Sequence, residues 1–260
     1  RRQAPTHGPP GRRLGPHDML SALTALYRST DGANWSINDG WLGGAAPCDG
    51  VAACVAQQPS TWSGLGCLSN DTTTHAVTLQ LSGRGMAGAL PWNELLLAPL
   101  ELRSADLSSN SVVGTLPTQL GRLAPHLDGS LNLYANELSG TLPSELGLLT
   151  RLSTLWLQQN RISGAVPTQL GLLTQLSQLY LGDNRLKGSL PTQLGQLTRA
   201  AAIYIDGNRL SGSLPTQLAR LAPAQCRLDG NAFACPTVVE SLLNGSAAVD
   251  DVMAAATAWG

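Results

Sequence analysis

Residues 152–173 read LSTLWLQQNRISGAVPTQLGLL, and two kinds of local order meet in them. Leu155 and Leu157 alternate with Trp156 and Gln158, the period of a strand with one buried face. After Asn160 the pattern changes. Pro167 presets φ for the start of a tight helical turn, and TQLGLL continues it, so the stretch predicts a short strand, a sharp exit and a return through a 3₁₀ or helical turn.

The stretch is one copy of a repeat. LPTQLG begins at Leu116 and Leu190, LPSELG at Leu142, VPTQLG at Val166 and LPTQLA at Leu214. Asparagine closes each leucine-rich segment, at Asn110, Asn136, Asn160, Asn184, Asn208 and Asn231, with spacings of 26, 24, 24, 24 and 23. Arg84 occupies the same place 26 residues before Asn110, which gives seven units over residues 77–231. A unit of this length cannot bury its own leucines, so the stack has to be the domain. The asparagines are expected to turn inward and bond backbone at the strand exit, because buried polar groups need partners. Gly114, Gly140, Gly164, Gly188 and Gly212 suit close approach or positive φ.

The consensus L-x-x-L-x-L-x-x-N-x-L-x-G-x-L-P-x-x-L-G-x-L resembles the plant-type leucine-rich repeat. That resemblance implies a right-handed α/β solenoid, a horseshoe with a concave parallel β-sheet, convex 3₁₀ or short helical turns and capped ends. A helix over MLSALTALYRS, capped by Asp18 and carrying Leu20, Leu23, Leu26 and Tyr27 toward the core, would begin an N-terminal cap over residues 18–76. DGANW, GWLGGAAPCDG and WSGLGC are similar to the tryptophan- and cysteine-bearing caps of plant and algal repeat proteins. By that resemblance Cys48 pairs with Cys67 and Cys226 with Cys235, with Cys54 to Cys67 left as the alternative at the first end. Residues 232–260 would form the C-terminal cap and tail. Residues 1–17, rich in Arg, Pro and Gly, read as a mobile leader, with any secretory signal already removed.

Charged residues make up 13% of the chain, about half the usual share, and the net charge is -1, so no bulk field draws it to nucleic acid or anionic lipid. No apolar run approaches the roughly 20 residues of a membrane-spanning helix; LLLAPL at Leu95 to Leu100 is broken by proline. The cysteines cluster in the flanks, and sequons stand at Asn34, Asn70 and Asn244, which points to an oxidising, secreted or luminal setting with N-glycosylation.

Catalytic signals are weak. GRGMAG at Gly83 to Gly88 matches a dinucleotide fingerprint, but ALPWNE follows where a helix is required. His7, His17, His75 and His126 lack metal-ligand spacing, and Asp183, Asp206 and Asp229 read as strand-end turn residues rather than a catalytic pair or calcium ligands. Neither an enzyme nor a cofactor is expected.

A surface is expected instead. The x of L-x-L faces the concave side and runs Gln80, Asp106, Asn132, Trp156, Tyr180, Tyr204, Arg227. Trp156, Tyr180 and Tyr204 would form an exposed ladder, flanked by Tyr134, Gln158 and Asp206, suited to a protein, a peptide or a glycan. A structural subunit of a larger assembly is the alternative. A lesser one is ice binding by the convex hydroxyls, Thr118, Ser144, Thr168, Thr192 and Thr216 with Thr115, Thr141, Ser189 and Ser213.

Overall fold

A computed structural model describes residues 16–36, 64–67, 76–97, 101–221 and 225–234. Its main sheet has eight strands, one per repeat after an antiparallel first strand: β1 (Leu65–Cys67), β2 (Ala76–Gln80), β4 (Glu101–Asp106), β6 (Ser130–Asn132), β8 (Thr154–Trp156), β10 (Gln178–Tyr180), β12 (Ala202–Tyr204) and β14 (Gln225–Arg227). From β2 onward all pairings are parallel. The alternation dictates which side is core: Leu155, Leu157, Leu179 and Leu181 are buried at 0–1% exposure while Trp156 and Tyr180 between them stay partly exposed.

Beyond each proline the chain makes a 3₁₀ turn, at Thr118–Leu123, Ser144–Leu148, Thr168–Leu172, Thr192–Gln196 and Thr216–Arg220. Pro117, Pro143, Pro167, Pro191 and Pro215 sit just ahead with φ between -63° and -82°, the range the ring imposes. These turns send leucines inward, and Leu146, Leu170 and Leu194 are buried at 0–1%.

The asparagines do turn inward. Asn160 Oδ1 accepts from Leu138 N at 3.0 Å, and its Nδ2 donates to the carbonyls of Leu133, Leu157 and Gln158 at 2.9–3.3 Å. Each amide thus ties its own strand exit to the preceding repeat. The residue before each asparagine is left-handed, which Ser109, Ala135, Gln159 and Asp183 tolerate at φ 50–55° and Gly207 adopts at 60°.

A second set of strands follows the asparagines and is not legible in the repeat pattern. β3 (Ala87–Ala89), β5 (Ser111–Thr115) and β7 (Glu137–Ser139) form one parallel sheet. β9 (Ser163–Gly164), β11 (Arg185–Gly188), β13 (Arg209–Gly212) and β15 (Ala232–Phe233) form another. Gly88 of the GRGMAG decoy lies within β3, so no helix N-terminus stands there to receive a pyrophosphate.

At the first end, α1 (Pro16–Ser29) packs Ala22, Leu23 and Leu26 into the core, and Trp35 closes beneath it with its indole N–H donating to Thr30 O at 2.8 Å. The helix begins at Pro16, so Asp18 stands within its first turn rather than ahead of it; a proline at the first helical position supplies the start. A shorter helix, α2 (Trp92–Leu97), replaces the 3₁₀ turn in the first repeat. Residues 1–15 of the leader, residues 235–260 of the C-terminal cap and tail, Cys48, Cys54, Asn70 and Asn244 lie outside the described residues, and so do both expected disulfides, while Pro16 and His17 belong to α1 rather than to a leader.

Candidate functional site

Register builds the concave column as the pattern requires. Gln80 pairs with Asp106, Asp106 with Asn132, Asn132 with Trp156, Trp156 with Tyr180, Tyr180 with Tyr204 and Tyr204 with Arg227. All seven therefore stand side by side on one face of the sheet.

The three rings lie flat on one another. Trp156 and Tyr180 have centroids 5.4 Å apart at an interplanar angle of 4°, and Tyr180 and Tyr204 are 4.4 Å apart at 6°. The Arg227 guanidinium carbon sits 5.4 Å from the Tyr204 centroid and closes the far end of the stack. Polar tips are fixed as well: Trp156 Nε1 donates to Gln178 Oε1 at 3.1 Å, and the Tyr204 hydroxyl donates to Gln225 Oε1. Burial in the stack, and then the neighbouring Tyr204, raises the Tyr180 phenol above its ordinary value of 10.0.

The expected ladder is partly exposed, and its rings cover one another. Stacking between successive strands takes up the faces of Tyr180 and one face each of Trp156 and Tyr204. What remains for a partner is a row of half-exposed ring edges and hydroxyl tips about as wide as three strands. Sequence places the residues in a column; it does not set the side-chain torsions that turn the rings flat.

One expected contact residue, Asn132, is withdrawn from the surface, and its neighbour Asp106, half-buried, has Oδ1 committed to internal hydrogen bonds. Asn132 is 5% exposed; its Nδ2 donates to Asp106 Oδ1 at 3.1 Å and its Oδ1 accepts from Tyr134 N at 3.0 Å. Asp106 Oδ1 also accepts from Ser108 N at 3.0 Å and Ser108 Oγ at 2.6 Å. Both side chains order the loop ends beside the rings.

The adjacent column runs Tyr134, Gln158, Gly182, Asp206. Gln158 Oε1 is buried and accepts no hydrogen bond among the described residues. Gly182 leaves a gap that Asp206 leans across, since a Cβ at Gly182 would stand 2.7 Å from Asp206 Oδ1. Asp206 is shifted upward from 3.8, first by burial and then by Asp229 and Asp183, against a backbone hydrogen bond and Arg227. A carboxyl whose folded pKa is raised favours its protonated form in the fold. Ionised Asp206 therefore subtracts from stability above its folded pKa, and the penalty fades as pH falls through that value toward 3.8. Asp206→Asn should accordingly raise the unfolding midpoint at neutral pH, and the gap to the parent chain should close below pH 3.8 in paired melts. A gap independent of pH would show that the carboxylate is not responsible.

Residues 175–197 match the family described as Leucine Rich Repeat. A search of curated protein sequences finds no significant relative. Among solved structures the chain is similar to the plant peptide hormone receptor RGFR1, in complex with RGF2, at 32% identity and a TM-score of 0.58, over 64% of this chain and 27% of that one. It is similar to PEPR1, in complex with AtPEP1, at 25% identity and a TM-score of 0.61, over 84% of this chain and 30% of that one. A pollen receptor kinase 3 shares the fold at 24% identity, a TM-score of 0.65, and coverage of 88% and 99%. The chain thus spans less than a third of the first two structures. Its fold is a leucine-rich-repeat solenoid of the plant type.

Proposed function

We propose that this leucine-rich-repeat solenoid is a non-catalytic recognition module that holds a peptide or protein segment on its concave face, centred on Trp156, Tyr180 and Tyr204. The register-locked ring stack carries the reading: three aromatic residues in consecutive repeats, half-exposed, with their tips already held by Gln178 and Gln225. Ordered rings lose little entropy when a partner covers them, which is why such residues dominate contact surfaces. One similar structure is a plant peptide hormone receptor in complex with RGF2, which supports the same use here. Its kind also supports an extracellular setting, and no helix among the described residues is long and apolar enough to cross a membrane. Asn34, in the first sequon, is exposed and accessible to glycosylation.

A glycan is the poorer occupant. Sugar rings stack on open aromatic faces, and here the faces are largely taken by one another. Ice binding through the convex column is also disfavoured, because Thr118, Thr168 and Thr192 each direct their hydroxyl to the next glutamine side chain at 3.1–3.3 Å, and Ser144 to Glu145 at 3.0 Å. The role of a structural subunit would rest on the two tails, with nothing in the described residues to favour it.

Replacing Trp156, Tyr180 and Tyr204 together by alanine should weaken a peptide partner, found by screening secreted peptides against the intact chain, by well over tenfold. Far-ultraviolet circular dichroism should be unchanged, since the leucines behind the strands remain. Equal affinity for parent and triple variant would exclude the concave stack as the binding surface.

A further inference from the structure

The outer strands that follow the asparagines carry a second surface. In β11 and β13, Leu186 and Leu210 point inward at 1% and 0% exposure, while Arg185, Lys187 and Arg209 are exposed. Lys187 is the direct register partner of Arg209, and Arg185 lies two residues from Lys187 on the same face. Arg161, one strand earlier, is answered by Glu137 at 3.0 Å. No ion pair within 4.0 Å engages Arg185, Lys187 or Arg209 among the described residues. Asp183, the acid nearest in sequence, turns its Oδ1 toward Gly207 instead.

Three unanswered cations thus share one flat face in a chain whose net charge is -1. Like charges directly opposite on a sheet destabilise it. The repeat shows that the arrangement is not imposed by the fold, because the place of Lys187 is filled by Ser139, Ser163 and Ser211 in neighbouring units. Only a five-residue step separates Tyr180 from Arg185, so the strip begins within about 17 Å of the ring stack even along a fully extended chain.

We infer that the face of Arg185, Lys187 and Arg209 docks a carboxylate-bearing segment of the polypeptide partner, making that partner acidic next to the part that covers the rings. The inference rests on the proposed function only in taking the partner to be a polypeptide. Complementary charge then both steers the encounter and sets orientation, since the basic strip lies to one side of the stack.

The experiment is a titration of the intact chain with unlabelled hexaglutamate, which has no aromatic group to offer the stack, followed by isothermal titration calorimetry. Binding should be measurable at low salt, fall as salt rises, and weaken by about tenfold in Lys187→Ser and in Arg209→Ser. Lys187→Ser should also raise the thermal midpoint, since it removes a like-charge pair, so weaker binding could not be ascribed to damaged folding. Tyr180→Ala should leave hexaglutamate affinity unchanged. No hexaglutamate binding, or binding indifferent to both strip variants, overturns the inference. A sulfated oligosaccharide that binds through the same residues where hexaglutamate does not would also overturn it, in favour of a polyanionic glycan. If strip variants weaken hexaglutamate while the triple ring variant keeps full affinity for a peptide partner, the concave reading fails and the strip stands.

Discussion

Asn184→Ala should cost the fold about 3 kcal/mol, measured as a lower midpoint in urea with the slope unchanged. The side chain is 8% exposed and makes four hydrogen bonds: Oδ1 accepts from Ile162 N at 2.9 Å, and Nδ2 donates to Leu157 O at 2.9 Å and to Leu181 O and Gly182 O at 3.1 Å. These bonds are not equal in consequence. Leu157 O keeps a donor in Asn160, Leu181 O keeps one in Asn208, and Gly182 O keeps Gln159 N. The Ile162 N–H keeps none of its own, and a buried donor left without an acceptor costs about 1–3 kcal/mol. Loss of the remaining bonds and a small cavity supply the rest. Sharing of Leu157 O also predicts coupling: Asn160→Ala with Asn184→Ala should exceed the sum of the single changes, because that carbonyl then loses both amides. Strict additivity would show that the ladder acts one asparagine at a time.

The same regularity explains what the sequence disclosed and what it concealed. The concave column could be read residue by residue because each strand advances by one repeat, so Trp156, Tyr180 and Tyr204 had to be neighbours once the period was known. Ring orientation was hidden, since it depends on torsions that repeat spacing does not constrain. The burial of Asn132 was hidden too, because it follows from Asp106 one strand away rather than from any local pattern. The basic strip escaped for a different reason. In the outer sheet Lys187 pairs with Arg209, 22 residues on, whereas column reading at a spacing of 24 sets it between Ser163 and Ser211 and shows no cluster. Those strands are also only two to five residues long, too short for alternation to announce them.

The convex turns should tolerate change least where two of them touch. Gly171→Ala places a methyl group 2.7 Å from the Gln193 carbonyl carbon and 2.8 Å from Gln193 Cβ, with the carbonyl oxygen nearer still. All three atoms belong to the next 3₁₀ turn, and that turn is anchored by Leu194 and Leu197 at 0–1% exposure, so relief requires prising two repeats apart. Overpacking against rigid neighbours costs about 1–3 kcal/mol, and the upper end is expected here because backbone, not a side-chain tip, must move. Two other glycines serve as controls. At Gly121 the nearest atom to an added Cβ is Leu148 Cδ1 at 2.6 Å, the far end of a half-exposed side chain that can swing outward, so Gly121→Ala should cost well under about 1 kcal/mol. At Gly188 nothing lies within 4 Å, and φ is 82°, so alanine there meets only backbone strain of about 1 kcal/mol. Chemical unfolding of the three variants should therefore rank Gly171 well above Gly188, and Gly188 above Gly121. A Gly171→Ala protein as stable as its parent would mean that the spacing between convex turns is soft, and that the leucines behind them, rather than the turn contact itself, set the curvature of the solenoid.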